Sequence, residues 1–309
     1  MILLGDRYKF TEIELKVLNR KFQEIKYIND IQYKIEDEII KTIEEGIKEK
    51  KRGLIVLNIS SQIQDKLLRY LTHLELDGVS YLTIEHFLEK YLKKCYIPDD
   101  QTDISFLDNI KPYSKWQYIQ KRAIDYFGIF WLFLFSWPIM LYSIYRIKKE
   151  SPDGEVFFKQ KRVGLNGQEF VCIKFRSMKP DAENGTPKFA SENDPRIFQW
   201  GETMRRYRLD ELPQIANILK GEMHLIGPRP ERRYWIEQFE KLIPYYNERH
   251  LVKPGITGWA QVNYPYGQNL EDTKQKLMYD LYYIKHWNIW LELKIVWQTA
   301  MTVINKKGL

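Results

Sequence analysis

The chain has 309 residues, of which 44% are hydrophobic and 29% charged, enough apolar material for two cored domains and too much for a disordered polypeptide. A formal net charge of +7 points to a polyanionic partner: nucleic acid, an anionic membrane surface or a phosphorylated substrate. Only Cys95 and Cys172 are present, without metal-ligand spacing, which argues against a disulfide framework and a zinc site and fits a reducing compartment.

The N-terminal Met1-Ile2-Leu3-Leu4-Gly5-Asp6 turns charged at once and lacks the apolar core of a signal peptide, so no export is expected. Residues 11–50 carry apolar side chains at helical spacing (Ile13, Val17, Ile25, Ile28, Ile35, Ile39) among Glu and Lys, which predicts one or two charged helices. A short buried strand follows at 53–59, then an amphipathic helix from Gln62 to Leu76, a second strand from Val79 to Ile84, and helix again from Glu85 to Lys94. That β-α-β-α order predicts a small parallel α/β, Rossmann-like domain. Ser60-Ser61 after the first strand lacks a glycine fingerprint, so no nucleotide is expected there. Residues 97–114, with Pro98 and Pro112, read as a linker, dividing an accessory domain at 1–111 from a second domain at 112–309.

Tyr126 to Tyr145 is uncharged and rich in Phe, Trp, Leu and Ile. As a straight helix it reaches about 30 Å, just enough to cross a bilayer core. Pro138 sits near its middle, and basic residues flank both ends: Lys121 and Arg122 before, Arg146, Lys148 and Lys149 after. Positive flanks belong on the cytoplasmic side, so a bent, re-entrant helix hairpin over about 121–148 is the expected form, with a spanning helix and a buried core helix as alternatives.

Beyond 155 the chain is basic. Val156-Phe157-Phe158 and Phe170–Ile173 read as strands around the turn glycines Gly164 and Gly167, and Lys174 and Arg176 add cations. Residues 179–195 read as a loop, 231–242 as helix and 253–259 as a turn-rich segment. Tyr279 to Val303 repeats Tyr and Trp on an amphipathic background, as an interfacial or a core helix would. The five histidines form no metal-binding pattern.

The densest chemistry lies in Arg205-Arg206-Tyr207-Arg208-Leu209-Asp210-Glu211-Leu212-Pro213-Gln214, with Gly227-Pro228-Arg229-Pro230 beyond it. Asp210 reads as the N-cap of a helix with Pro213 in its first turn, which would put a carboxylate pair in a positive field suited to phosphates. The plainer reading is a capping pair with solvated or paired arginines. The residues alone leave both open.

These segments, with Lys161–Gly164, Lys174–Met178, Asp194-Pro195-Arg196, Pro254–Val262 and Tyr279–Tyr283, resemble the ordered motifs of bacterial sugar transferases, the monotopic polyprenyl-phosphate phosphoglycosyl transferases. The resemblance covers roughly 115–305. It implies a mixed α/β catalytic domain with a re-entrant membrane helix and interfacial amphipathic helices, on the cytoplasmic face of the bacterial inner membrane. It implies transfer of a hexose 1-phosphate from a UDP-sugar to undecaprenyl phosphate with release of UMP, initiating exopolysaccharide, capsule or O-antigen assembly. Matching by motif, Asp210 would be the covalent nucleophile with Glu211 beside it, and Lys174, Arg205 and Arg229 would bind phosphate. Asp210 and Asp280 would hold Mg²⁺, and Ser136 and Pro138 would break the membrane helix. The larger members carry four transmembrane helices before their α/β domain, and none is expected here. Ser usually precedes the kinking Pro, whereas here Trp137 does. His224 stands where Ser is usual. A homodimer is a further expected partner; nucleic acid is not. The rival reading is an inactive membrane-docked scaffold, against which the intact Asp210, Glu211, Arg205 and Arg229 speak.

Overall fold

The computed structural model describes residues 1–29, 36–47, 53–59, 65–98, 110–180, 194–264, 267 and 269–304. The chain divides into two compact units, Met1–Tyr96 and Ile97–Leu309. Most of the expected linker, and most of the expected loop at 179–195, lie outside the described residues.

The N-terminal unit is built from β1 (Ile2–Leu4), α1 (Glu12–Lys21), β2 (Lys26–Ile28), α2 (Glu36–Ile47), β3 (Leu54–Leu57), α3 (Asp65–Leu76), β4 (Ser80–Thr83) and α4 (Ile84–Phe87), which runs on as a π-helical turn, Leu88–Leu92. Its sheet is parallel throughout, in the order β2-β1-β3-β4, as the expected α/β domain requires. The central strands are covered on both faces, so they are continuous apolar runs; Leu4, Ile55 and Leu57 pack with Ile39 and Ile43 of α2 and with Leu67 and Leu71 of α3. Strands β1 and β2 were not foreseen. Each has three residues, and β2 exposes Lys26 and Tyr27, so neither leaves a periodic signature. Thr11 opens α1 in a reciprocal capping box with Glu14. Polar groups inside this unit satisfy one another: Asn58 accepts from the Tyr8 amide at 2.7 Å and donates to the Gly5 and Tyr8 carbonyls, while buried Glu14 pairs with buried Lys94 beside the Tyr8 hydroxyl.

The C-terminal unit begins with α5 (Lys115–Glu150), one helix that extends past the expected 121–148 at both ends and continues through Pro138. Ser114 and Gln117 form its capping box. Arg176 staples its far end, donating to the Ser151 carbonyl and hydroxyl and to the Glu155 carbonyl, each at 2.6 Å. A single stripe of α5 faces the body of the unit: Lys121, Asp125, Ile129, Ser136, Ser143 and Ile147 are buried at spacings of four and seven residues. The opposite faces leave Phe127, Trp131, Phe135, Trp137, Leu141 and Tyr145 exposed. Among the described residues this is the one helix long and apolar enough to cross a membrane.

The expected hairpin follows as β5 (Phe157–Val163) and β6 (Glu169–Phe175), antiparallel in a register that sets Phe158 opposite Lys174. Then come α6 (Gln199–Arg206), a 3₁₀ turn (Leu209–Gln214), α7 (Ile215–Leu219), β7 (His224–Ile226), α8 (Arg233–Leu242), β8 (Gly255–Thr257), α9 (Trp259–Asn263), α10 (Leu270–Lys285) and α11 (Ile289–Ile304). Two expectations change here. The segment 253–259 contains a strand, β8, parallel to β7, because Gly227, Gly255 and Gly258 let two backbones cross where a Cβ at Gly255 or Gly258 would land on Gly227. The region 279–303 is two helices: α10 buries Tyr279, Tyr282 and Tyr283 in the core, and α11 exposes Trp290 and Trp297.

Candidate active site

Asp210 and Glu211 lie on the 3₁₀ turn between α6 and α7, against β6. The residue before the turn, Arg208, takes the left-handed conformation (φ 55°), so it occupies the cap position expected for Asp210. Asp210 is therefore inside the turn, and the positive field at the carboxylates comes from side chains rather than from a long helix dipole. Lys174 reaches across from β6 to Glu211 Oε1 at 3.0 Å, and Arg229, from the Gly227–Pro230 loop, donates to the same oxygen at 2.9 Å. Arg208 stands 3.8 Å from Glu211 Oε2. Arg205, in the last turn of α6, acts on Asp210 through its charge, and its buried Nε has no hydrogen-bond partner among the described residues.

The two carboxylates are pushed in opposite directions. Burial raises the Asp210 carboxyl and neighbouring Glu211 raises it further, against the pull of Lys174, Arg205 and Arg229. Burial alone would raise Glu211 too, but Arg229, then Lys174 and Arg208, hold it below the ordinary carboxylate range. Glu211 is thus the fixed anion that organises the cations, and Asp210 the less satisfied one, with charge to share with an incoming group.

The structure brings together Asp210, Glu211, Lys174, Arg205 and Arg229, all expected from the sequence. Asp280, expected at the metal, has a buried carboxylate that accepts from Arg249 at 2.8 Å, and Arg249 also donates to the Arg229 carbonyl at 3.0 Å. Asp280 therefore supports the arginine loop through Arg249. No cluster of three or more His, Cys, Asp or Glu able to hold a metal ion occurs among the described residues. Glu211 Oε2 is nevertheless buried without a hydrogen-bond partner among the described residues, and with Asp210 it offers the hard oxygens that Mg²⁺ prefers. Ser136 is buried against Met140, its Oγ 3.8 Å from the sulfur, while Pro138, two residues on and about half a turn round the helix, is exposed.

A second polar cluster, invisible to sequence reasoning, ties α5 to the loop that carries Arg229. Lys121 and Glu292, both fully buried, pair at 2.7 Å. Glu292 also accepts from Tyr283 at 2.5 Å and Trp287 at 2.8 Å, and the Tyr283 hydroxyl lies 3.1 Å from the Ile226 carbonyl. Asp125 accepts from His224 Nδ1 at 2.5 Å and from the Leu225 amide at 2.8 Å. Burial pushes His224 down to about 4, so its imidazole is neutral near pH 7 and donates to the carboxylate. His224 and Ile226 are the ends of β7, which leads directly into Gly227. No local spacing predicts these pairs, whose partners lie 99 and 171 residues apart.

A carboxylate pair in a cradle of cations, on a unit carrying one long exposed apolar helix, is an arrangement that suits phosphate groups and suggests association with a membrane. Residues 116–306 match the bacterial sugar transferase family, and the chain belongs to that family. It is 45% identical over 189 residues to a UDP-N-acetylgalactosamine-undecaprenyl-phosphate N-acetylgalactosaminephosphotransferase of Aeromonas hydrophila, covering 61% of this chain and 44% of that one. It is 48% identical over 174 residues to a UDP-glucose:undecaprenyl-phosphate glucose-1-phosphate transferase of Xanthomonas campestris pv. campestris, covering 55% of this chain and 36% of that one. An uncharacterized sugar transferase of Bacillus subtilis (strain 168), EpsL, is 37% identical over 197 residues, covering 62% of this chain and 90% of that one. The chain thus spans less than half the length of the first two relatives.

Proposed function

We propose that this chain transfers a sugar 1-phosphate from a UDP-sugar to undecaprenyl phosphate on the cytoplasmic face of a bacterial inner membrane, initiating a surface glycan. The observation that carries this is Asp210, a carboxylate raised by burial and by Glu211, held among Lys174, Arg205 and Arg229. The names of the relatives supply the substrate class.

In the first half-reaction an Asp210 oxygen attacks the sugar-linked phosphorus. The bond between that phosphorus and the bridging oxygen breaks, and UMP leaves with the oxygen, while Asp210 becomes an acyl phosphate carrying the sugar. In the second, a phosphate oxygen of the lipid attacks the same phosphorus, a diphosphate forms, and the Asp210 carboxylate returns. The cations reduce the repulsion between carboxylate and diphosphate and take up charge on the equatorial oxygens and the leaving group. Asp210 and Glu211 would hold Mg²⁺, whose chemistry is further neutralisation of the diphosphate. Glu211 keeps Lys174 and Arg229 in place throughout.

Helix α5 supports a monotopic, re-entrant arrangement. Arg122 near its start bonds the Ile218 carbonyl, and Ile147 near its end packs with Phe198 and Met204, so both ends sit on one body. Its exposed aromatic faces are left for the bilayer.

The test is a single-turnover measurement on the full chain in detergent. Given a UDP-sugar and Mg²⁺ without lipid, the protein should release at most one UMP per site and gain the mass of a sugar phosphate on the peptide containing Asp210. Absence of the adduct, together with ternary-complex kinetics, would show direct displacement instead.

A further inference from the structure

Two carboxylates of α5, one near each end, accept from backbone amides of the elements that carry two arginines of the site. Near the start, Asp125 Oδ1 accepts from the Leu225 amide at 2.8 Å, inside β7, and β7 runs on into Gly227-Pro228-Arg229. At the far end, Glu150 Oε2 accepts from the Trp200 amide at 2.7 Å, in the first turn of α6, and α6 ends with Arg205 and Arg206. Along a straight helix the two anchors stand up to about 38 Å apart. They nevertheless hold elements whose side chains meet at one place, because Arg205 acts on Asp210 and Arg229 bonds Glu211.

The Glu150 contact is a helix cap supplied by another element. Phe198, at the cap position of α6, has no side-chain oxygen for the free amides of the first turn, and Glu150 takes that part with a charge that suits the positive end of the helix. Glu150 is itself fixed. Its Oε1 accepts from Arg146 Nε at 2.9 Å and from a second Arg146 nitrogen, and the Arg146 guanidinium lies 4.9 Å from the centre of a Trp200 ring. At the other anchor, His224 and Arg122 hold the second oxygen of Asp125.

Both anchors reach the arginines through backbone rather than by direct contact, and that backbone is stiff. Arg229 stands between Pro228 and Pro230, whose fixed φ angles leave little slack to absorb a shift of β7. Helix α6 is short and regular, and Phe198 and Met204 pack with Ile147 of α5, so a displacement at Trp200 is passed on to Arg205. We infer that Asp125 and Glu150 are positioning residues that set how Arg229 and Arg205 are held across the Asp210-Glu211 pair, each carboxylate serving one arginine. The role given to the arginines rests on the function proposed above.

Hydrogen exchange reads the anchors without turnover. In the full chain in nanodiscs, Glu150→Ala should raise amide exchange about tenfold or more across 199–208 and leave 224–232 unchanged, and Asp125→Ala should do the reverse. Equal loosening of both segments by either variant would overturn the assignment.

A kinetic arm measures the rate of UMP release in a single turnover with UDP-sugar and Mg²⁺ and without lipid, so that acceptor binding does not enter. Glu150→Ala should slow release about tenfold in the wild-type and Arg229→Gln backgrounds, but less than about twofold once Arg205 is Gln. Asp125→Ala should give the mirror pattern. Glu150→Gln keeps an oxygen for the Trp200 amide and should restore most of the rate. Losses independent of which arginine is replaced would reduce both carboxylates to general stability and overturn the proposal. If Asp125→Ala does not fold, the partly exposed Glu150 decides alone. If wild type released no UMP from any UDP-sugar while the exchange pattern held, the proposed reaction would fail and the anchors would stand.

Discussion

The C-terminal unit contains two clusters of charged side chains with opposite finish. In the cluster beneath α5, Lys121, Tyr283 and Trp287 all donate to Glu292, and both ionic groups are fully buried. In the cluster at the 3₁₀ turn, Glu211 Oε2 and Arg205 Nε are buried without hydrogen-bond partners among the described residues, and Asp210 has its carboxyl raised. Closed networks rigidify, whereas open ones keep valence in reserve for a ligand. The two clusters are built from the same residue types, and what separates them is the completeness of their pairing.

The sharpest break in that comparison is Asp210→Asn. Turnover should fall by at least about a thousandfold, while thermal unfolding should be unchanged or slightly raised, because the lost charge is one the folded site disfavours. A large drop in melting temperature would place Asp210 with the structural cluster. Lys121→Met should do the reverse, costing about 3–5 kcal/mol of stability by leaving Glu292 buried without its cation. Adding Glu292→Leu should recover part of that loss, and a double variant worse than the single would refute the pairing.

The next effect is on pH. His224 sits near 4 in the folded chain, below its ordinary 6.5. Between those values the unfolded chain binds the extra proton, so stability is full above about pH 6.5 and declines by up to about 3 kcal/mol as the pH falls through 4. Melting curves of wild type and His224→Ser should converge at low pH; parallel curves would remove His224 from the anchor. The smallest effect is expected for Arg229→Lys, which keeps the charge and loses the planar fork. A loss of about ten- to a hundredfold in kcat/KM should appear with little change in melting.

Much of this arrangement is legible in the sequence, and the rest is not for definite reasons. The Leu54–Leu57 strand, the following helix and the β5-β6 hairpin announce themselves because apolar runs and turn glycines are local signals. The site's carboxylates and cations were legible because a motif keeps them in order. Their setting was not. Arg208 in the left-handed conformation moves the cap off Asp210, a backbone choice that leaves no composition signal. Asp280 was expected at the metal, and only the fold reveals Arg249 as its partner. The β7-β8 pair depends on a crossing of two backbones, for which three glycines in different motifs are the only local trace.

Lys121 carries a consequence for biogenesis. A buried ionised side chain left without its partner costs several kcal/mol; Asp125 has Arg122 at 3.3 Å on its own helix, but Lys121 acquires Glu292 only from a segment made much later on the ribosome. The start of α5 is therefore seated only once the chain has passed Glu292. Chains truncated before Glu292 should be cut by protease near Lys121 faster than full-length chains in a cell-free translation.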